Sequence, residues 1–219
     1  MAQPSDDVWE VMSTARSIRR FTDEPVSDDV LHRCLEAATW APNGANYQAW
    51  RFIVLRSPEQ RAVVAEAAKR ALGVIEGVYK MTRPDPDDDS PAARNNRATY
   101  ELHDRAGEYT SVLFTTFNYS KVASELLLGG SIYPAVQNFL LAARAQGLGA
   151  CLTSWASYDG EAILREAVDL PDQWLLAAHV VVGWPRGKHG PLRRRAVSEA
   201  VMYERFDHDA PSPLRAYNG

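Results

Sequence analysis

Residues 126–143 run for 18 positions without a single charged side chain. A helix of that length can cross a bilayer or pass through the middle of a globular core. The contents favour the core. Gly129, Gly130, Ser131, Pro134, Gln137 and Asn138 are spread among the apolar residues, which suits a turn followed by a buried helix over 132–146. Gly147 closes that helix, because the residue after a helix end favours glycine. The rest of the chain has to be built around this element. At 219 residues it is long enough to do so as one domain, 1–219, without disulfide or metal staples.

Flanking patterns supply the other elements. A short helix is expected over 6–15. Ser27 reads as an N-cap, with Asp28 and Asp29 at the positive end of the helix dipole. Val30, Leu31, Cys34, Leu35 and Ala38 then recur on one helical face, up to a stop near Trp40. Residues 50–55 read as a buried strand, and Ser57-Pro58-Glu59 opens a helix to about Leu72. Three prolines and four aspartates within 84–91 mark 82–98 as a loop. Strands follow over 112–117, 150–155 and 175–184, with a helix capped by Asp159 and ending near Val168.

Composition excludes several classes. A net charge of −4 argues against a dedicated nucleic-acid binder. Cys34 and Cys151 cannot form a disulfide framework and suit a reducing cytosol. The start, MAQPSDDVWE, does not read as a signal peptide. His32, His103, His179, His189 and His208 lack metal-ligand spacing, so no metal and no membrane is expected. The usual glycine-rich phosphate loops and the hydrolase elbow are also absent.

Four segments carry chemistry instead. Arg16-Ser17-Ile18-Arg19-Arg20-Phe21 sets three guanidiniums and a hydroxyl beside apolar anchors, which suits a phosphate. Residues 41–50 (APNGANYQAW) combine small residues and amides between a helix and a strand, allowing close backbone approach and ring-edge recognition. Residues 147–155 (GLGACLTSW) lead from a helix end into a strand that finishes with two hydroxyls and an indole. Residues 187–195 (GKHGPLRRR) place a basic cluster after the last core strand, and in an acidic chain it suits one small anion.

In order and spacing, these segments resemble the nitroreductase family of FMN-dependent oxidoreductases, from about Val8 to about Phe206. Arg16, Ser17, Arg19 and Phe21 fit its opening motif. Ala41, Pro42, Gly44, Asn46, Gln48 and Trp50 fit the second, Gly147-Leu148-Gly149 the third, and Gly183-Trp184-Pro185 with Arg193-Arg194-Arg195 the fourth. Ala15 stands where many relatives carry arginine, leaving one phosphate contact missing or supplied by Arg194. Asn43, Tyr47 and Ala49 also depart from the usual residues.

The resemblance implies an α+β fold with a central mixed sheet flanked by helices. It implies an interlocked homodimer, embraced by C-terminal tails over about 196–219, with FMN at the subunit interface. Arg16, Ser17 and Arg194 would hold the phosphate and ribityl chain. Arg19 would sit near N1 and O2 of the flavin, where reduction places negative charge. Asn43, Gly44 and Asn46 would reach the ring from the partner, and Leu152, Thr153 and Ser154 would line its N5–O4 edge. NADPH or NADH would donate electrons and a small nitroaromatic or quinone-type acceptor would take them, in a ping-pong cycle with no catalytic acid, base or nucleophile. A lid over the acceptor is expected within 75–125, a span that includes Glu76, Tyr79, Lys80, Glu101, Tyr109 and Lys121. Reductive dehalogenation, flavin cleavage, dehydrogenation and non-catalytic flavin binding are the alternatives on this scaffold. The expected location is cytoplasmic.

Overall fold

In the computed structural model, which describes residues 3–119 and 124–210, the elements run α1 (Val8–Thr14), α2 (Asp28–Thr39), β1 (Trp50–Leu55), α3 (Pro58–Tyr79), α4 (Pro91–Asp104), β2 (Thr110–Phe117), α5 (Glu125–Ala145), β3 (Gly149–Thr153), α6 (Glu161–Ala167) and β4 (Trp174–Gly183). The strand order is β1-β2-β4-β3, and every paired neighbour among the described residues is antiparallel. This corrects the expected mixed sheet. β2 and β3, joined through α5, do run parallel to each other, but β4 inserts between them in the opposite direction. The one parallel contact is a bridge between Ser17 and Ala150 on the outer side of β3.

Helices cover both sheet faces. On one, Val112, Phe114, Val180 and Val182 pack under α2 and α5, through Leu31, Cys34, Ile132, Val136 and Phe139. On the other, Leu55, Leu113, Cys151 and Val181 pack under α3, α4 and α6, through Val64, Ala68, Leu102 and Leu164. Period-two alternation along each strand sorts its residues between these two cores.

The uncharged run is helical throughout, rather than a turn followed by a helix from 132. Ser124 caps it, accepting a hydrogen bond from the Leu127 amide at 3.2 Å. Two glycines cost roughly 1 kcal/mol each in a helix interior, and a proline about 3. Burial of Leu128, Ile132, Val136 and Phe139, at about 1.5–3 kcal/mol each, outweighs that cost. Gly147 (φ 81°) closes the helix as expected. Its amide bonds Arg144 O at 3.0 Å and the Leu148 amide bonds Ala143 O at 2.8 Å, the paired bonds of a Schellman ending.

Other boundaries also move. α3 continues past Leu72 to Tyr79. Its last turn is anchored where Tyr100 donates to Glu76 Oε1 at 2.9 Å. The expected loop at 82–98 ends early, because Ser90 caps α4 through the Ala93 amide at 3.1 Å and Pro91 follows at the first helical position. The anticipated cap Asp159 instead adopts φ 66° in the turn before α6, and Gly160 takes the N-cap position. The proposed lid span is divided as well. β2 and the buried Tyr100 and Tyr109 belong to the core, which narrows any covering segment to the end of α3, the following loop and α4. Lys121, with the rest of 120–123, lies outside the described residues, as do 211–219 of the tail.

Candidate functional site

The segment from Arg16 to Phe21 is held as an extra edge against β3 and β4. The Ile18 amide donates to Ala150 O at 2.9 Å and the Thr22 amide to Trp184 O at 2.8 Å. Phe21, fully buried, lies against Gly183. Ile18 lies so close to Gly149 that a Cβ there would fall 2.7 Å from Ile18 Cγ2. Glycine is therefore required at 149 for the basic segment to dock.

Docking sets Arg16 and Ser17 on the wall of a cavity of about 220 Å³, which Leu152 and Arg194 also line. Four of the residues expected to bind cofactor are thereby brought together. The Leu192 amide donates to Ser13 O at 3.0 Å and ties the second basic segment to α1. Arg144 and His189 also line the cavity, and neither was anticipated. Arg144 is a lone charge ending an apolar helix, and a buried charge needs partners. It donates to Thr14 Oγ1 at 2.8 Å, to Gln3 O at 3.1 Å and to Glu10 Oε1 at 2.9 Å. The His189 ring donates from Nε2 to Leu148 O at 3.0 Å, while its buried Nδ1 has no partner. Burial first, then the nearby Arg144, lowers the His189 pKa.

Charge balance defines what this cavity accepts. Among the described residues, Glu10 is the only carboxylate paired with Arg16, Arg144 or Arg194. Three guanidiniums against one carboxylate leave an excess suited to a dianion, and fork-shaped donors match phosphate oxygens. The volume, below the roughly 300–1,000 Å³ of a complete ligand pocket, suits a group the size of a phosphate.

The remaining candidates lie elsewhere. Arg19 lies within electrostatic reach of Cys151 and His103: burial raises the Cys151 pKa and the Arg19 charge partly offsets it, while burial lowers the His103 pKa and Arg19 adds a small part to that. Arg20 is drawn away to Glu101, at 2.8 Å, which Arg186 also pairs at 2.7 Å. Thr153 turns into the core, its hydroxyl 2.8 Å from His179 Nδ1, beneath the indole of Trp155. Ser154 is exposed just beyond β3. Asn43 and Gly44 line a second, smaller recess with Tyr47, Leu128 and Ser131, where the Gly44 amide donates to Ser131 Oγ at 3.2 Å. Asn46, next along the same segment, accepts from Gln48 Nε2 at 3.3 Å. Ala45, Asn46 and Gln48 all have positive φ, at 49°, 55° and 49°, a concentration of backbone strain of the kind found at ligand-binding segments.

The two recesses sit on opposite flanks of α5. At 100° per residue, Leu128 and Ser131 lie about half a turn from Gln137, Leu140 and Arg144, and roughly 15 Å away along the axis. Within one chain, the Asn43 group and the Arg16 group therefore face away from each other.

The chain is similar to proteins of one family. The Nitroreductase family model matches residues 12–184. A 5,6-dimethylbenzimidazole synthase from Rhodospirillum rubrum is 29% identical over 185 residues, 80% of each chain. A nitrobenzene nitroreductase from Ectopseudomonas oleovorans is 27% identical over 193 residues, 77% of this chain and 82% of its own. A Desulfovibrio desulfuricans protein assigned as a nitroreductase, solved in complex with FMN, superposes with a TM-score of 0.66 at 27% identity, covering 93% of this chain and 99% of the other. A family match over more than half the chain, on the fold just described, means that this protein belongs to the nitroreductase family.

Proposed function

We propose that the protein is an FMN-dependent oxidoreductase that takes electrons from NADH or NADPH and reduces small aromatic acceptors, such as nitroaromatics or quinones, as a homodimer. The observation that carries this reading is the cavity in which Arg16, Ser17, Arg144 and Arg194 converge with Glu10 as the only paired carboxylate among the described residues. In this reading Arg16, Arg194 and Arg144 hold the phosphate, and Ser17 donates to it or to the ribityl chain. Arg19, which no carboxylate among the described residues pairs, offsets negative charge at the N1–O2 edge. Leu152 presents the exposed end of β3 to the ring, and the hydroxyl of Thr153, held by His179, fixes the strand behind it. Bound FMN would supply a two-electron relay between donor and acceptor.

Two features support a dimer that completes the site. The Asn43 group cannot reach the Arg16 cavity around α5 of its own chain. α5 is also apolar beyond what its own chain covers. Less than half of its apolar stretch is buried, and Leu126 and Leu127 are 87% and 61% exposed. A helix apolar all round needs cover on its outer side. A second copy supplies that cover while bringing its Asn43, Gly44 and Asn46 to the ring. The tail beyond 196 exposes Val197, Tyr203 and Phe206, which suits an embrace of the partner. A cytosolic location agrees with two buried free thiols.

The test is spectroscopic. Purified protein should be yellow, bleach anaerobically with NADH or NADPH, and recover on addition of nitrobenzene or a quinone. Protein that takes up no FMN would overturn the proposal. Flavin cleavage, one of the alternatives on this scaffold, would consume the flavin instead of recycling it. Irreversible loss of flavin absorbance in air, without turnover of the aromatic acceptor, would select it.

A further inference from the structure

The anionic cavity holds a residue that the phosphate reading leaves unused. His189 follows the last core strand within 187–195 and closes the cavity against α1 and α5. On one side its Nε2 donates to Leu148 O at 3.0 Å. On the other, Nδ1 is buried without a hydrogen-bond partner, and the nearby Thr14 backbone favours the charged ring. A carbonyl only accepts, so the bond to Leu148 O commits the proton of a neutral ring to Nε2 and leaves Nδ1 as a buried acceptor with no donor. An imidazolium removes that stranded acceptor and keeps the bond to Leu148.

The charges around the ring decide between these forms. Arg16, from the segment after α1, Arg144 of α5, and Arg194 share the cavity with it, and Lys188 adjoins it in sequence. Glu10 of α1, bound to Arg144, is the opposing carboxylate among the described residues. With no anion in the cavity, a fourth cation is repelled. A dianion reverses the local field and rewards that cation. We propose that His189 is a further phosphate-site residue, neutral in the free protein and protonated when the dianionic phosphate of FMN enters. It would make the site select a phosphorylated flavin over riboflavin. This inference rests on the FMN reading above, and it adds a proton to the binding reaction.

By linkage, affinity should then fall as pH rises between the free and bound pKa values of the ring, by up to about tenfold per pH unit for one proton. The burial and the neighbouring guanidiniums that depress His189 put the start of that window below the ordinary histidine value of about 6.5. Flavin-free full-length protein can be titrated calorimetrically with FMN, and separately with riboflavin, at pH 7.0 in two buffers of different ionisation enthalpy. The expected result is uptake approaching one proton with FMN, no uptake with riboflavin, and loss of the uptake in His189→Gln. Histidine side-chain NMR of the wild-type protein, with and without FMN, keeps the test independent of how that variant folds, and the His189 resonance should titrate at higher pH when FMN is bound. FMN binding without proton uptake, or a His189 titration that FMN leaves unmoved, overturns this inference and leaves the flavin reading intact. Failure of both FMN and riboflavin to bind overturns the flavin reading itself.

Discussion

Replacing Gly149 with alanine tests whether the first basic segment is positioned by close packing at the sheet edge. The added Cβ would meet Ile18 Cγ2 at 2.7 Å, Cβ at 2.8 Å and Cγ1 at 3.1 Å. Optimal carbon contacts lie at roughly 3.5–4.0 Å, so the two segments must separate by close to an ångström. Ile18 cannot yield by a simple rotamer change, because β-branching makes its χ1 stiff and its amide is bonded to Ala150 O at 2.9 Å. Such overpacking costs about 1–3 kcal/mol. For a chain of this size that lowers Tm by roughly 4–8 °C at the middle of the range. The displacement passes directly to Arg16 and Ser17, and losing one charge-assisted hydrogen bond, at about 1.5–3 kcal/mol, weakens FMN binding roughly 10- to 150-fold. Thermal unfolding and fluorescence titration with FMN measure the two effects. The double variant with Ile18→Ala should lose less than the sum of the single variants, because trimming Ile18 removes two of the three clashing atoms. A Gly149→Ala protein with unchanged Tm and unchanged FMN affinity would refute the packing argument.

Other perturbations address separate parts of the molecule. Arg16→Ala combined with Arg194→Ala should release FMN on gel filtration, and stoichiometric flavin retained through the column would mean that the phosphate lies elsewhere. Leu126→Glu with Leu127→Glu, both exposed at the start of α5, should shift the protein from dimer to monomer in sedimentation velocity and strip the flavin with it; an unchanged dimer would remove α5 from the interface. Complete burial pushes the His179 pKa down to about 3, while the unfolded chain has the ordinary value near 6.5. The unfolded state therefore binds this proton first, and stability held above pH 6.5 is lost as pH falls below it, by about 2 kcal/mol at pH 5 from this one group. Denaturant unfolding at both pH values should show a shallower loss in His179→Gln, and identical slopes would contradict the burial of a neutral ring.

Legibility in the sequence followed the range of the interactions involved. Strand β1 lies where β-branched content placed it, and the Gly147 ending matches because a left-handed C′ position is a local demand. The start of α4 was equally local. Ser90-Pro91 repeats the Ser57-Pro58 signature, but the surrounding aspartates and prolines masked it. α5 could not be bounded this way, since its two glycines and proline are tolerated only because the sheet buries the opposite face of the helix.

The same division applies to the site. The family resemblance of the motifs singled out Arg16, Ser17, Leu152 and Arg194 as members of a cofactor site, and the structure brings them to one cavity. It did not single out Arg144 or His189, whose parts depend on α1, α5 and the second basic segment meeting in space. Nor did it indicate that Thr153 would turn inward to His179, which is set by which face of β3 meets the core. The residue types and their order thus determined the kind of protein this is, because caps, strands and motifs are short-range features. Tertiary structure decided the direction of each strand, the charge of the cavity and the side of α5 on which each group of residues lies, because those depend on which distant segments pack together.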